Sequence, residues 1–351
     1  MKTITVSASR DYDVCIGAGL LKTCGERLAA LPGIRAAAVV TDSIVAGLYA
    51  DTVCAALERA GLRVCRFVFP AGEAFKTLRT YGELLGFLAD NRLTRSDVLV
   101  ALGGGVTGDM TGFAAATYLR GIRFVQLPTT LLAAVDSSVG GKTGVDLPEG
   151  KNMAGAFWQP SLVLCDTDTL KTLPDDVRRD GFAEMVKTGV LAGETLFSRL
   201  EQGDGPDREE IIAACVEVKR SIVSRDERDT GLRRLLNLGH TAGHAIELCS
   251  DYSISHGRAV AMGLGIMVRA CARRGLCPAG DAERVLSLLE RSGLSVSTPF
   301  PAETLAEAAL SDKKRTGEGQ PLVLVEGIGR CRIETVPREE LSGWFRDGGA
   351  L

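Results

Sequence analysis

Through the first half of the chain, short β-branched runs alternate with stretches whose apolar residues recur at helical spacing. Residues 3–8 and 13–16 read as an opening hairpin, and residues 36–41, 63–69, 97–102, 123–127 and 161–165 as strands. Helical spacing fills several intervals, for instance residues 44–60 and 77–91. Strands separated by helices are the signature of parallel α/β layering. The texture changes after Cys165. Thr172-Leu173-Pro174-Asp175-Asp176 is a helix start, with proline in the first turn and two acids near the positive end of the dipole. From there to about Leu310 the spacing is almost entirely helical. Residues 321–325 and 331–336, joined by Gly327-Ile328-Gly329, predict a late hairpin. The pattern therefore predicts an α/β N-terminal domain over residues 1–174 and a mostly α-helical C-terminal domain over residues 175–351.

Composition narrows the class. The 351 residues are 45% hydrophobic and 24% charged, as suits a globular chain with a sizeable core. A net charge of −3 gives no general attraction to nucleic acid or an anionic membrane. The longest apolar stretches, such as residues 259–268, fall well short of the ~20 residues a spanning helix needs. Residues 1–13 lack the apolar core of a signal peptide, so a cytoplasmic location is expected. Ten cysteines are scattered from Cys15 to Cys331 without a Cys-x-x-Cys pair, the pattern of reduced structural thiols. Histidine is the reverse case. All three lie between His240 and His256, which points there for chemistry.

Three segments carry candidate chemistry. The strand at 97–102 runs into Gly103-Gly104-Gly105-Val106-Thr107-Gly108-Asp109 and then a helical pattern. Gly-x-Gly-x-x-Gly in that context lets backbone amides and a helix N-terminus cradle a pyrophosphate, although a packing turn would use the same glycines. Gly140-Gly141-Lys142-Thr143 resembles the end of a P-loop, but Asp136 stands where its first glycine is required, which excludes that motif. The loop from Asp136 through Lys142 and Asp146 to Lys151-Asn152 is rich in cations and hydrogen-bonding groups. It suits either an anionic, hydroxyl-rich ligand or an ordinary polar surface. In the helical half, Glu184 and Lys187 are three residues apart, and His240 and His244 four apart between glycines. That spacing suggests a metal site using the two imidazoles, and imidazoles with a carboxylate favour zinc or a similar divalent ion.

These residues also carry a resemblance. Pro70-Ala71-Gly72-Glu73 with Lys76, Gly103 to Asp109, Tyr118-Leu119-Arg120-Gly121 and Pro128-Thr129-Thr130 are its first blocks. Val135 to Thr143, Gly150 to Gly155, Glu184 with Lys187, Asn237 to His244, His256-Gly257 and Asp312-Lys313-Lys314 follow in order. The chain resembles the 3-dehydroquinate synthase family of sugar-phosphate cyclases over almost its whole length. The resemblance implies a Rossmann-like first domain, NAD, one divalent metal (zinc or cobalt) and a homodimer. It implies conversion of 3-deoxy-arabino-heptulosonate 7-phosphate to 3-dehydroquinate and phosphate, in the shikimate pathway. The steps it implies are transient oxidation at C5, phosphate elimination, re-reduction, ring opening and aldol closure.

By the same resemblance the metal ligands are Glu184, His240 and His256, so His244 becomes a residue that handles protons near substrate. Lys142, Asn152 and Lys314 would hold the phosphate, with Arg120 reaching in from a neighbouring subunit. Lys219, Arg233 and Asn237 would hold the carboxylate, and Asp136 and Lys187 the ring hydroxyls. The matching NAD positions are Asp42, Glu73, Lys76, Gly104, Gly105 and Asp109, then Thr129, Thr130, Lys151 and Thr172. Lys142 doubles as an NAD contact. Where some relatives carry Asn two residues after the first-strand acid, this chain has Ile44. Related cyclases act on substrates that lack the carboxylate, so the set Lys219, Arg233, Asn237 and Lys187 favours the shikimate substrate. A metal-dependent polyol dehydrogenase would not need two anion clamps, and an NAD-sensing binding protein would not need the ligand triad.

Overall fold

The β-branched runs of the first half pair into one seven-stranded sheet within a unit formed by Met1–Leu173 and Lys219–Glu227. The computed structural model describes residues 1–203, 208–311 and 319–351. The strands of this unit are β1 (Lys2–Val6), β2 (Tyr12–Gly17), β3 (Ala36–Asp42), β4 (Arg63–Phe69), β5 (Val98–Gly103), β6 (Arg123–Pro128), β7 (Lys142–Leu147), β8 (Gly150–Phe157) and β9 (Leu162–Asp166). The sheet order is β1-β2-β9-β6-β5-β3-β4, with β1 and β2 antiparallel and the other pairings parallel.

Both faces of the sheet are covered, which is why β5 is buried along its whole length and reads as an unbroken apolar run. Val39 and Val100 pack on one side with Leu28 and Leu57, from the helices Leu20–Ala29 and Asp51–Arg59. Their neighbours Val40 and Leu99 pack on the other side with Leu88 and Met110, from the helices Leu78–Asp90 and Gly105–Thr117. The chain leaves β3 for β4 on one side, then returns to place β5 on the other. That reversal opens a crevice at the carboxyl ends of β3 and β5, where α/β sheets bind ligands.

Two expectations need correction here. Residues 136–152, read as a polar loop, contain most of the antiparallel pair β7–β8, with Lys142 opposite Phe157 and a bulge between Val145 and Leu147. Its polar and glycine content hid a separate two-stranded hairpin that packs on the Gly105–Thr117 helix, where a Cβ on Gly112 would meet Thr143 Cγ2 at 2.4 Å. Residues 219–227, assigned by pattern to the helical half, belong instead to the sheet-bearing unit. Lys219 Nζ donates to Asp136 Oδ1 at 2.8 Å, and Glu227 accepts from Ser9 and from Gln159 Nε2.

The second unit, Pro174–Val218 with Arg228–Leu351, is mostly helical. Its first helix, Asp175–Ala192, begins after Pro174 with Asp175 and Asp176 in the first turn. The helices His240–Cys249 and His256–Arg273 follow a 3-10 turn at Leu232–Asn237. The late hairpin forms as β10 (Gly319–Gly327) and β11 (Arg330–Pro337). Among the described residues no helix is long and apolar enough to cross a membrane.

Candidate functional site

In the sheet-bearing unit, the predicted nucleotide residues gather at the carboxyl ends of neighbouring strands. Asp42 ends β3, and its Oδ1 accepts from the amides of Ile44 and Val45 at 2.9 and 3.0 Å. Gly103 ends β5, Gly104 caps the following helix without a side-chain cap, and Gly105 is its first residue. The helix N-terminus is therefore left to backbone amides, the arrangement that suits an anion. Thr129 and Thr130 follow β6, and Thr129 N donates to Gly103 O at 3.0 Å. Thr129 Oγ1 is buried with no hydrogen-bond partner, and such an orphan calls for a ligand. Space beside the turn is restricted: a Cβ on Gly104 would meet Thr130 Cγ2 at 3.0 Å. Thr172 is exposed in the 3-10 segment that follows β9 and is hydrogen-bonded to Tyr49. Ile44 is 66% exposed.

Below that turn lies a polar network that joins residues predicted for different ligands. Lys76 is 3% exposed, and its Nζ donates to Asp109 Oδ2 at 2.7 Å and to Asn152 Oδ1 at 2.6 Å. Asn152 N donates to Asp146 Oδ1 at 2.7 Å, and Lys151 Nζ is 3.8 Å from Glu73 Oε1. Burial alone would lower the pKa of Lys76, but Asp109 and Glu73 outweigh it and hold the ammonium charged. Burial pushes the Asp109 carboxyl up, against the pull of Lys76. Asn152 has φ of 55°, a conformation that costs a non-glycine residue energy and is retained where surroundings enforce it. Its amide oxygen faces Lys76, which turns its NH2 group the other way.

In the helical unit, Glu184, His240 and His256 offer ligand atoms that all lie within 4.8 Å of one another. Nε2 of His240 and Nε2 of His256 face the same oxygen, Glu184 Oε1, at 3.3 and 3.2 Å. Ligand atoms around a tetrahedral ion with bonds of ~2.0–2.1 Å stand about 3.3 Å apart, so the spacing fits a metal. Two imidazoles and a carboxylate are also the donor types that a first-row divalent ion prefers. Glu184 is fully buried; burial would raise its pKa, but Lys187 and His240 hold it well below the usual carboxylate range. Lys187 Nζ lies 2.5 Å from Glu184 Oε2. Burial disfavours a charged His256, yet Glu184 and Glu247 lift its pKa to about 10.

Three helices approach closely enough to make this convergence possible. A Cβ on Gly257 would stand 2.2 Å from Asp180 Cα, and one on Gly263 would stand 2.1 Å from Gly239 O. Asp180 also secures the start of the His256–Arg273 helix, accepting from Ser255 Oγ at 2.6 Å and from Arg258 N at 3.2 Å. His244, named by its spacing from His240, is exposed; its ring centroid is 5.3 Å from that of His240 and 5.9 Å from that of His256. Together with Glu247 and His256 it forms a second set of possible donors.

The remaining predicted residues lie on several elements. Lys219 and Asp136 are joined as an ion pair in the first unit. Arg233 is 2% exposed and shares the 3-10 turn with Asn237. At 3 residues per turn, a separation of four does not stack them as an α-helix would. Lys142 opens β7 and is exposed. Arg120, with φ of 66°, is exposed at the end of a short 3-10 turn. Lys314 lies outside the described residues. Pattern reading gave no role to Asp180 or Glu247, although their spacing of four before Glu184 and three after His244 was a usable signal.

Comparison with known proteins identifies the family. Residues 66–180 match the family described as 3-dehydroquinate synthase N-terminal, and residues 181–315 the one described as 3-dehydroquinate synthase C-terminal. The chain is 47% identical to the 3-dehydroquinate synthase of Geobacter metallireducens, with 95% of each chain covered. It is 43% identical to that of Streptococcus suis, covering 97% of this chain and 98% of the relative. A 2-deoxy-scyllo-inosose synthase solved with carbaglucose-6-phosphate, NAD+ and Co2+ superposes with a TM-score of 0.87 at 26% identity, covering 99% of this chain and 100% of that one. A 2-epi-5-epi-valiolone synthase from Streptomyces hygroscopicus, solved with NAD+ and Zn2+, gives 0.86 at 27% identity, with 99% of each covered. With both halves matched in order and relatives above 40% identity along nearly its full length, the chain belongs to the 3-dehydroquinate synthase family.

Proposed function

We propose that the chain converts 3-deoxy-arabino-heptulosonate 7-phosphate to 3-dehydroquinate and phosphate, as a lyase using catalytic NAD and one divalent metal. The observation that carries this reading is the convergence of Glu184, His240 and His256 on one point, in a member of this family. NAD would sit across the carboxyl ends of β3, β5 and β6, with its pyrophosphate on Gly104 and Gly105 and a ribose on Asp42. Glu73, Lys76, Asp109, Thr129, Thr130, Lys142, Lys151 and Thr172 would complete its pocket. When bound, NAD supplies a hydride acceptor for C5 that later returns the hydride. The metal, zinc or cobalt, supplies Lewis acidity at the C5 oxygen.

The chain's own residues would do the rest. Glu184, His240 and His256 hold the metal, and Lys187 keeps Glu184 anionic while reaching a ring hydroxyl. Lys142, Asn152 and Lys314 take the phosphate, and Arg120 acts on a neighbouring copy in a homodimer. Lys219 and Arg233 take the carboxylate with Asn237. Asp136 orients Lys219 and a hydroxyl, and His244 moves protons beside the metal. We read residues 1–174 as the NAD-binding half and 175–351 as the metal- and substrate-binding half of a cytoplasmic enzyme, with 219–227 contributed back to the first. A cyclase acting on a different sugar phosphate is the second reading, favoured by the TM-score of 0.87 to such an enzyme. The test is phosphate release from the heptulosonate phosphate by metal-loaded protein. Phosphate should appear with NAD required but not consumed; accumulating NADH or no phosphate would refute the assignment.

A further inference from the structure

Glu247 lies on the same helix as His240 and His244, and the reaction proposed above leaves it without a task. It is 2% exposed, and its Oε2 stands 3.3 Å from Nδ1 of His256. The other ring nitrogen of His256, Nε2, faces Glu184. His240 divides its nitrogens in the same way, with Nε2 toward Glu184 and Nδ1 3.1 Å from the carbonyl of Leu238. Each imidazole therefore turns one nitrogen to a common point and anchors itself through the other. The anchors differ in kind: a neutral carbonyl for His240, a carboxylate for His256. The rings also differ in enclosure, with side-chain exposures of 11% for His240 and 33% for His256. Packing restrains the first ring, so the less enclosed one depends more on its hydrogen bond.

Resting on the metal reading above, we infer that Glu247 is the positioning residue of that centre. It holds His256 in the tautomer protonated at Nδ1, so that the Nε2 lone pair faces the ion. A carboxylate only accepts hydrogen bonds, so a nitrogen lone pair beside it would be repelled, and the proton belongs on Nδ1. The negative charge also makes Nε2 a stronger donor to a metal. The rival use of the same atoms is a site built from His244, Glu247 and His256, whose ligand atoms also lie within 4.8 Å of one another. The two uses exclude each other, because Nδ1 of His256 cannot both carry a proton for Glu247 and bind a metal.

Dissociation constants for Zn2+, measured by competition with a chromophoric chelator on the full chain, separate the readings. Glu247→Gln keeps the shape and removes the charge, and should weaken binding about 10-fold; Glu247→Ala should approach about 100-fold. His244→Ala should leave the affinity unchanged, and Glu184→Gln should abolish tight binding. At saturating Co2+ the ligand-field bands of Glu247→Gln should overlay those of the parent, because the three ligands are the same. Parental affinity in both Glu247 variants would overturn the positioning role. So would losses in Glu247→Ala and His244→Ala that match the loss in Glu184→Gln. Tight binding retained by Glu184→Gln would instead defeat the metal assignment on which the inference rests.

Discussion

Gly257 is a position where one methyl group should damage the proposed metal centre. A Cβ there would stand 2.2 Å from Cα, 2.3 Å from O and 2.6 Å from C of Asp180. Carbon atoms settle at roughly 3.5–4.0 Å, so the two helices must part by about 1 Å, since backbone cannot swing aside as a side chain can. Glu184 follows Asp180 by four residues on one helix, and His256 precedes Gly257 on the other. The retreat therefore opens the 3.2 Å gap between Glu184 Oε1 and His256 Nε2 directly. Metal–ligand distances tolerate about ±0.2 Å, several times less than this movement. Overpacking of this kind costs about 1–3 kcal/mol, and strain of that size borne by the bound state weakens metal binding about 5- to 150-fold. Chelator competition on Gly257→Ala measures it. Gly280→Ala is the control: a Cβ there meets nothing within 4 Å, so affinity and stability should hold or improve slightly. Parental Zn2+ affinity in Gly257→Ala would refute the claim that helix approach sets the ligand geometry.

Lys76→Met strands Asp109 and removes the donor to Asn152, and should lower stability to urea by about 3–5 kcal/mol; a second change, Asp109→Leu, should restore part of it. A loss below about 0.5 kcal/mol would mean the pair is idle. Thr129→Val replaces an orphaned buried hydroxyl with a methyl, so the apo protein should be as stable or about 1 kcal/mol more so. Calorimetric titration should show the same variant binding NAD more weakly, and equal affinity would move the ribose or nicotinamide away from β6. Arg233→Ala should lower kcat/KM by about 30-fold or more, from a loss of roughly 2–5 kcal/mol. A competitive inhibitor lacking the carboxylate should bind both proteins alike; equal losses on both ligands would make Arg233 a structural residue.

What could be read from the residues alone was whatever is local in the chain. The parallel strands announced themselves because burial on both faces forces continuous apolar runs, as in β5. The glycine turn and the Asp175 helix start were legible because their spacing is set within one turn of backbone. Spacing failed where the partner lies far along the chain. It paired His240 with His244, whereas Glu184 shares a cluster of possible donor atoms with His240 only because glycines let separate helices approach. Family resemblance, not periodicity, pointed to that triad. The β7–β8 hairpin was missed for a different reason: β8 exposes or half-exposes every residue, so no alternation marks it as a strand.

The short run Lys219–Glu227 has a consequence for how this chain can be cut and recombined. It is bounded on both sides by sequence of the helical unit, yet it bonds to Ser9, Asp136 and Gln159. A fragment ending at Leu173 would lose the contacts of Asp136 with Lys219 and of Ser9 with Glu227. Neither half is a contiguous, self-sufficient module. Chimeras that exchange the first 173 residues between relatives must exchange residues 219–227 with them, and selection on either piece acts on both.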